Sequence, residues 1–400
     1  MSFRTRSIAL GSAAAIMAAV PFGVSAPQAQ ETSGDEAVEE QIAVPVPDEI
    51  PIVLLLDLST GQRLFQREID RRFIPASVTK VMTVFTAFEL IEKGELSPAM
   101  RFQISDEIDE KWSGEGSTMF LKAGEQPTIG ELLLGVTTVS GNDASVALAT
   151  AAVGSEARWL ELMNANAAAL GMRNTHFGGT NGFPDGGTTY TTAQDLAKLG
   201  QAIVERHPAL YRRYFGKRRL TWRNIEQVNH DPVTGRVEGA DGLKTGYTGE
   251  AGYTFLGSAE RGGRRLMMVI AGAPSGAVRD TTSRKLLEWG FSNFEQRDVL
   301  PAGTIIGRAR VQNGSDETVS LRLAHDLKVS APRGVLANPT TEIVYRGPIM
   351  APVAEGSQVA TLRLHYEGQD PYDIPVEAAQ TVETAGLFKR LKNGLMALFT

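Results

Sequence analysis

Three short motifs in a fixed order constrain this chain more than any other feature: Ser77-Val78-Thr79-Lys80, then Ser140-Gly141-Asn142, then Lys244-Thr245-Gly246. Helical periodicity covers residues 77–93, with Val81, Phe85, Phe88 and Ile91 on one side, Pro75 just before it and Gly94 ending it. A second helical region, 129–153, is interrupted at Ser140-Gly141-Asn142, and residues 243–247 read as a strand. The first motif therefore opens a helix, the second breaks one and the third lies on a strand. Further helices are expected over 156–170 and 192–205, and strands over 52–56, 253–256 and 265–270, with glycine-rich loop chemistry over 178–187. Mixed elements without regular βαβ alternation predict an α/β or α+β sandwich with an antiparallel sheet.

The motif spacing has a chemical reading. A serine hydroxyl is a poor nucleophile until a base takes its proton. Lys80 is the only lysine in the chain with a serine three positions before it. Residues i and i+3 share a helix face, so this amine can reach the Ser77 oxygen. With an ordinary pKa near ~10.4 it would be protonated and useless as a base. Burial lowers that value and a second cation lowers it further; Lys244 is the obvious second cation. Ser77 opens its helix, where backbone amides and the helix dipole favour a developing oxyanion. Ser140 and Asn142 can bridge the two lysines, the hydroxyl relaying a proton and the amide orienting Lys80 and the substrate. Glycine at 246 removes the side chain where a peptide would lie against the strand edge. Taken singly, each motif also reads as a helix cap, a capping loop or a hairpin edge; the ordered set points to a nucleophilic serine.

Composition narrows the classes. At ~100–200 residues per domain, 400 residues predict two or three domains. A hydrophobic share of 42% with 22% charged residues excludes a polytopic membrane protein and a chain disordered throughout. Forty Lys and Arg against 46 Asp and Glu leave a net charge of −6, so no nucleic-acid footprint is expected. The chain has no cysteine, which removes disulfides, thiolate metal sites and a Cys nucleophile. Its histidines (His176, His207, His230, His325, His365) show no metal-ligand spacing and read as surface or structural residues; neither a metal nor a cofactor is expected.

The ends carry their own signals. Arg4 and Arg6 precede an apolar small-residue run, Ile8 to Val24, closed by Ser25-Ala26, so residues 1–29 read as a secretory signal peptide cleaved within 26–30. Residues 30–48 form an acidic linker broken by Pro45 and Pro47. A catalytic domain is expected over 49–298. Alternation in Val319–Leu323 and Thr361–His365 predicts a small all-β domain over 299–380. In 385–400, Leu387, Phe388, Leu391, Leu395, Leu398 and Phe399 share one helical face opposite Lys389, Arg390 and Asn393, the pattern of an in-plane membrane anchor or, alternatively, of a helix docked on its own β domain.

Four segments, Ile74–Thr83, Gly116–Leu121, Val139–Ala144 and Asp241–Thr248, resemble the D-alanyl-D-alanine carboxypeptidases among low-molecular-mass penicillin-binding proteins. The likeness spans roughly 50–295 and continues more loosely to the end. It implies an α/β sandwich of β-lactamase/transpeptidase type, an antiparallel sheet flanked by helices, followed by a small all-β domain and a C-terminal amphipathic helix. It implies Ser77 as acyl-enzyme nucleophile, Lys80 as general base, and Ser140 and Asn142 as relay and positioning groups. Lys244 and Thr245 would bind the substrate's terminal carboxylate with Arg279 near that subsite; Ser117, Gly246 and Tyr247 would line the cleft. The amides of Ser77 and Tyr247 would form the oxyanion hole. The implied partners are peptidoglycan stem peptides, β-lactams as covalent inhibitors and, through 385–400, a membrane surface. The implied location is periplasmic, at the outer face of the inner membrane. Rival readings are a D,D-endopeptidase, a non-catalytic wall-binding protein, and a class A β-lactamase, for which Glu161 and Asn164 superficially supply the deacylating group although Glu161 follows Asn142 too closely. Two departures stand out. The loop Gly179-Thr180-Asn181-Gly182-Phe183 replaces the usual Asn-Pro-His-Gly-Leu, and residues 228–237 lack the usual Arg-Asn pair.

Overall fold

The computed structural model describes residues 43–333, 340–365 and 371–386. The expected signal segment, most of the acidic linker and the anchor beyond 386 lie outside the described residues.

The chain divides into two compact units, the first running from Val44 to Val299 and regaining the segment that starts at Lys328. In chain order it contains strands β1 (Ile52–Asp57) and β2 (Gln62–Arg67), then helices α1 (Lys80–Glu92), α2 (Asp106–Trp112) and α3 (Ile129–Thr138). Helices α4 (Asn142–Val153), α5 (Glu156–Ala169), α6 (Ala193–Arg206) and α7 (Pro208–Tyr214) follow. The hairpin β3 (Arg219–Trp222) and β4 (Ile225–Val228) leads to β5 (Ala240–Thr248), β6 (Gly252–Arg261), β7 (Arg264–Ala273), α8 (Gly276–Asn293) and β8 (Phe294–Leu300).

One antiparallel sheet, in the order β2-β1-β7-β6-β5, forms the middle layer. Successive strand residues point to opposite faces, and both faces here are covered. Ile52 and Leu54 of β1, with Met267 and Val269 of β7, join the core built on the first helices. Their neighbours Val53, Leu55, Met268 and Ile270 join the core under α8, with Leu286, Leu287 and Phe291. Burial on both sides is why β1 reads as a continuous apolar run rather than as an alternation.

Helix α1 departs from the one-sided stripe expected of it. Every residue from Lys80 to Phe88 is buried, so it is the central helix of its layer, walled in by its neighbours. Side-chain caps set other starts: Thr128 and Glu131 close a capping box on α3, and Ser155, Thr192 and Ser275 cap α5, α6 and α8. The segment from Lys328 lies within β11 (Leu327–Pro332), which pairs with β8, and Ser330 Oγ donates to Asp57, which also takes a 2.7 Å bond from Arg264.

The second unit is a six-stranded sheet of β9 (Ile305–Gln312), β10 (Thr318–Leu323), β12 (Thr340–Val344), β13 (Ile349–Met350), β14 (Gln358–His365) and β15 (Tyr372–Ala378). Leu321, Leu323, Leu362, Leu364 and Val376 meet in its core while Arg322, Arg363 and Asp373 point outward in ion pairs. This unit runs past the expected boundary at 380: Val382 is buried in the core and the Ala385 amide donates to Asn313 O at 2.8 Å.

Candidate active site

Ser77 lies in a 3₁₀ turn, Ala76–Thr79, that feeds α1, so it stands just ahead of the α-helix rather than in its first turn. Ala76 takes φ 49°, a left-handed conformation that costs a residue with a Cβ. Two glycines let the rest of the protein close on this turn. A Cβ on Gly246 would lie 2.6 Å from Pro75 O, and one on Gly182, itself at φ 70°, would lie 1.9 Å from Ala76 O. Substrate clearance is one reason for a glycine at 246; the backbone of the turn that carries Ser77 supplies a second, since it occupies the space a Cβ would take. Strand β5 and the 178–187 loop thus grip the turn from two sides.

Lys80 is fully buried, and its Nζ lies 3.0 Å from Ser77 Oγ, 2.8 Å from Asn142 Oδ1 and 2.6 Å from Asn181 O. Two of these partners, an amide oxygen and a carbonyl, can only accept. The third is a hydroxyl, which can donate. A neutral amine satisfies all three, giving its two N–H groups to the acceptors and turning its lone pair to Ser77. Burial, and after it the charge of Lys244, hold the Lys80 pKa well below the ordinary lysine value, against an opposing pull from Asp143. Asp143 is itself buried, which pushes its carboxyl up; its oxygens accept the amides of Met119, Leu121 and Ala144 at 2.8–3.0 Å. Those bonds, with Asn142 N to Ser117 O at 2.8 Å and Asn142 Nδ2 to Glu115 O at 2.9 Å, pin the 115–121 segment to the start of α4.

A cavity of about 420 Å³ opens beside this lysine. Ser77, Ser117, Ser140, Asn142, Thr245, Gly246, Tyr247 and Arg279 all line it, while Lys80 and Lys244 are buried nearby. All ten expected site residues therefore converge. Arg279 comes from the first turn of α8, where Asp280 Oδ1 takes its Nε at 2.9 Å and its Nη2 at 2.7 Å. Its guanidinium sits over the Tyr253 ring, which stacks on Tyr247 at 4.2 Å. Lys244 is pushed down to about 7 by burial and by Arg279, with Asp231 pulling the other way, and its Nζ donates to Thr245 O at 2.9 Å.

The expected bridge between the two lysines is only half present. Asn142 holds Lys80, but among the described residues Ser140 bonds neither lysine; it takes φ 62°, and Lys244 turns back onto its own strand. Three contributors escaped the sequence. Asn181 acts through a backbone carbonyl, which no side-chain motif can advertise, and Asp143 acts on the backbone of a distant loop. His230, read as a surface or structural residue, lines the cavity. Glu161 lies on the exposed side of α5, paired with Arg158, and Asn164 holds the Phe177 backbone, so the lactamase-like pair does not face the cavity.

Comparison with known proteins agrees with this geometry. Residues 49–275 match the family described as D-alanyl-D-alanine carboxypeptidase, and 294–384 match the penicillin-binding protein 5 C-terminal domain. The D-alanyl-D-alanine carboxypeptidase DacF of Bacillus subtilis is 31% identical over 345 residues, 85% of this chain and 87% of that protein. The crystal structure of penicillin-binding protein 5 from Haemophilus influenzae aligns with a TM-score of 0.73 at 30% identity, covering 84% of this chain and 98% of that one. Penicillin-binding protein D2 from Listeria monocytogenes, solved in an ampicillin-bound form, aligns at TM-score 0.55 and 28% identity, covering 61% of this chain and 98% of that one.

Proposed function

The chain belongs to the D-alanyl-D-alanine carboxypeptidase family of low-molecular-mass penicillin-binding proteins, and from that premise we propose which residues perform the reaction. Ser77 Oγ gives its proton to Lys80 and attacks the carbonyl between the last two D-alanines of a peptidoglycan stem peptide. The oxyanion is met by the amides of Ser77 and Tyr247, with β5 supplying the edge on which the peptide lies. Lys80 returns the proton to the leaving amine, D-alanine departs, and water hydrolyses the acyl-enzyme. Ser140 serves the proton's return path, Asn142 fixes the Lys80 amine, and Lys244, Thr245 and Arg279 hold the substrate's terminal carboxylate. β-Lactams acylate the same serine.

One observation carries the reading: the buried Lys80 amine stands 3.0 Å from Ser77 Oγ with its other two contacts going to pure acceptors. The test is release of D-alanine from a D-Ala-D-Ala-terminated peptide, together with covalent benzylpenicillin labelling, in the wild type and in Ser77→Ala. The variant loses both; labelling that survives refutes the assignment. Mass spectrometry of cross-linked muropeptides separates carboxypeptidase from endopeptidase cleavage.

We further infer export by the 1–29 segment, the acidic 30–48 stretch as a linker, and peripheral attachment to the outer face of the inner membrane through 385–400. The cationic-then-apolar N-terminus and the amphipathic C-terminal pattern support this. No helix among the described residues is long and apolar enough to cross a membrane. Fractionation of full-length protein and of a chain ending at 384 tests it: the short form leaves the membrane pellet.

A further inference from the structure

We propose that His230 is a specificity-determining residue, its imidazole N–H joining Lys244 and Arg279 in recognising the free C-terminal carboxylate of the substrate. This rests on the carboxypeptidase reading of the site.

His230 lies in the stretch that departs from the family pattern. It follows β4, in a loop whose backbone is fixed on both sides of it. Asn229 Nδ2 donates to Lys217 O at 2.8 Å and the Asn229 amide to Arg218 O at 2.9 Å. Asp231 Oδ1 accepts the amides of Val233 at 2.8 Å and Thr234 at 3.1 Å. Between these anchors His230 lines the same cavity as Ser77 and Thr245 and is exposed, and neither ring nitrogen hydrogen-bonds to another described residue. A rigidly mounted donor without a protein partner is available to a ligand.

Its surroundings identify the ligand. Lys244 and Arg279 stand close enough for their charges to act on the ring, with Asp280 opposing them. Asp280 already occupies Nε and Nη2 of Arg279, which leaves Nη1 for an anion. Partial burial and the two cations hold the imidazole below its ordinary value, which favours the neutral ring. A neutral ring supplies one N–H without adding a third positive charge beside the other two. A carboxylate presents enough lone pairs to take an N–H from each of the three side chains, whereas a C-terminal amide or ester brings no anion to this end of the cleft.

The experiment compares wild-type protein, His230→Ala and His230→Gln on two reactions: D-alanine release from a D-Ala-D-Ala peptide, and acylation by benzylpenicillin or its methyl ester. Loss of one hydrogen bond to a charged group predicts a KM about tenfold higher for His230→Ala, with kcat within about twofold of wild type. Acylation by the free acid slows similarly, acylation by the ester does not change, and His230→Gln, which keeps an N–H donor, recovers most of the loss. An unchanged KM in His230→Ala overturns the proposal. So does an equal loss with acid and ester, or a fall in both variants with a lowered melting temperature, which marks a structural role. Failure of the carboxypeptidase reading looks different: the wild type itself releases no D-alanine and takes no label.

Discussion

Gly246→Ala separates two reasons for a glycine beside the nucleophile. If the residue leaves room for substrate, a methyl group obstructs only the ligand. If it lets β5 press on the Ser77 turn, a methyl group disturbs the protein itself. The geometry favours the second: the added Cβ would lie 2.6 Å from Pro75 O, about 0.8 Å inside ordinary contact at 3.4 Å, and 3.2 Å from Ser77 N. Both obstacles are backbone atoms that cannot rotate away, so strand and turn must part by about 0.5–1 Å. Overpacking of this kind costs about 1–3 kcal/mol, a fall of roughly 2–12 °C in melting temperature at about 2–4 °C per kcal/mol. A displacement near 1 Å at a reacting atom costs about a hundredfold in rate. Thermal melting and stopped-flow benzylpenicillin acylation measure the two effects on one preparation. A variant that melts with wild type and is acylated at the wild-type rate, losing only affinity for bulky peptides, refutes the clamp and restores the substrate-clearance explanation.

Other outcomes follow from charge and burial. Because Lys80 is lowered, acylation rises with pH and levels off well before an ordinary amine would titrate, while Lys244, pushed down to about 7, loses its proton above that pH, so KM for carboxylate-bearing substrates climbs there. The kcat/KM profile is therefore a bell; a rise that continues unbroken to pH 10 contradicts it. Lys80→Arg keeps a cation that cannot serve as a base, and single-turnover acylation falls by about 10²–10⁴; wild-type rates would remove Lys80 from the mechanism. Asp57→Ala strands the buried Arg264 guanidinium, bonded at 2.7 Å in the native protein, and costs about 3–5 kcal/mol in denaturant unfolding; a loss below 1 kcal/mol would show that the pair is dispensable.

What the sequence made legible was whatever one element decides alone. Ser77 and Lys80 are three apart on one stretch, so their contact is local, and the break at Ser140-Gly141-Asn142 announces itself through its residue types. Strands β10 and β14 of the second unit are legible because one face is buried and the other carries ion pairs, which writes the alternation directly into the chain. Helix α8 stayed hidden because Arg279, Asp280, Arg284, Lys285 and Glu288 punctuate its apolar positions, and α7 because it is seven residues long. The second constraint on Gly246 stayed hidden for a related reason: its neighbours Pro75 and Ser77 are remote in sequence, and only the pairing of β5 with the rest of the sheet brings them to it. His230 carries no motif; its place in the cavity lining is set by anchors at Asn229 and Asp231.

The most consequential charge at the site is decided by packing rather than by a specialised partner. Lys80 sees a carboxylate, Asp143, that would hold its proton on, and a lysine, Lys244, that drives the proton off. Asp143 spends its oxygens on the amides of Met119, Leu121 and Ala144, so it builds the wall of the cavity instead of neutralising the amine. Desolvation is the largest influence on Lys80, larger than either neighbour. The three hydrogen-bond partners can serve an ammonium as well as an amine, because Ser77 Oγ can accept or donate; it is burial, with the charge of Lys244, that disfavours the charged form. The packing that excludes water from α1 therefore favours the deprotonated side chain and offers Ser77 its base at a lower pH than an ordinary lysine would.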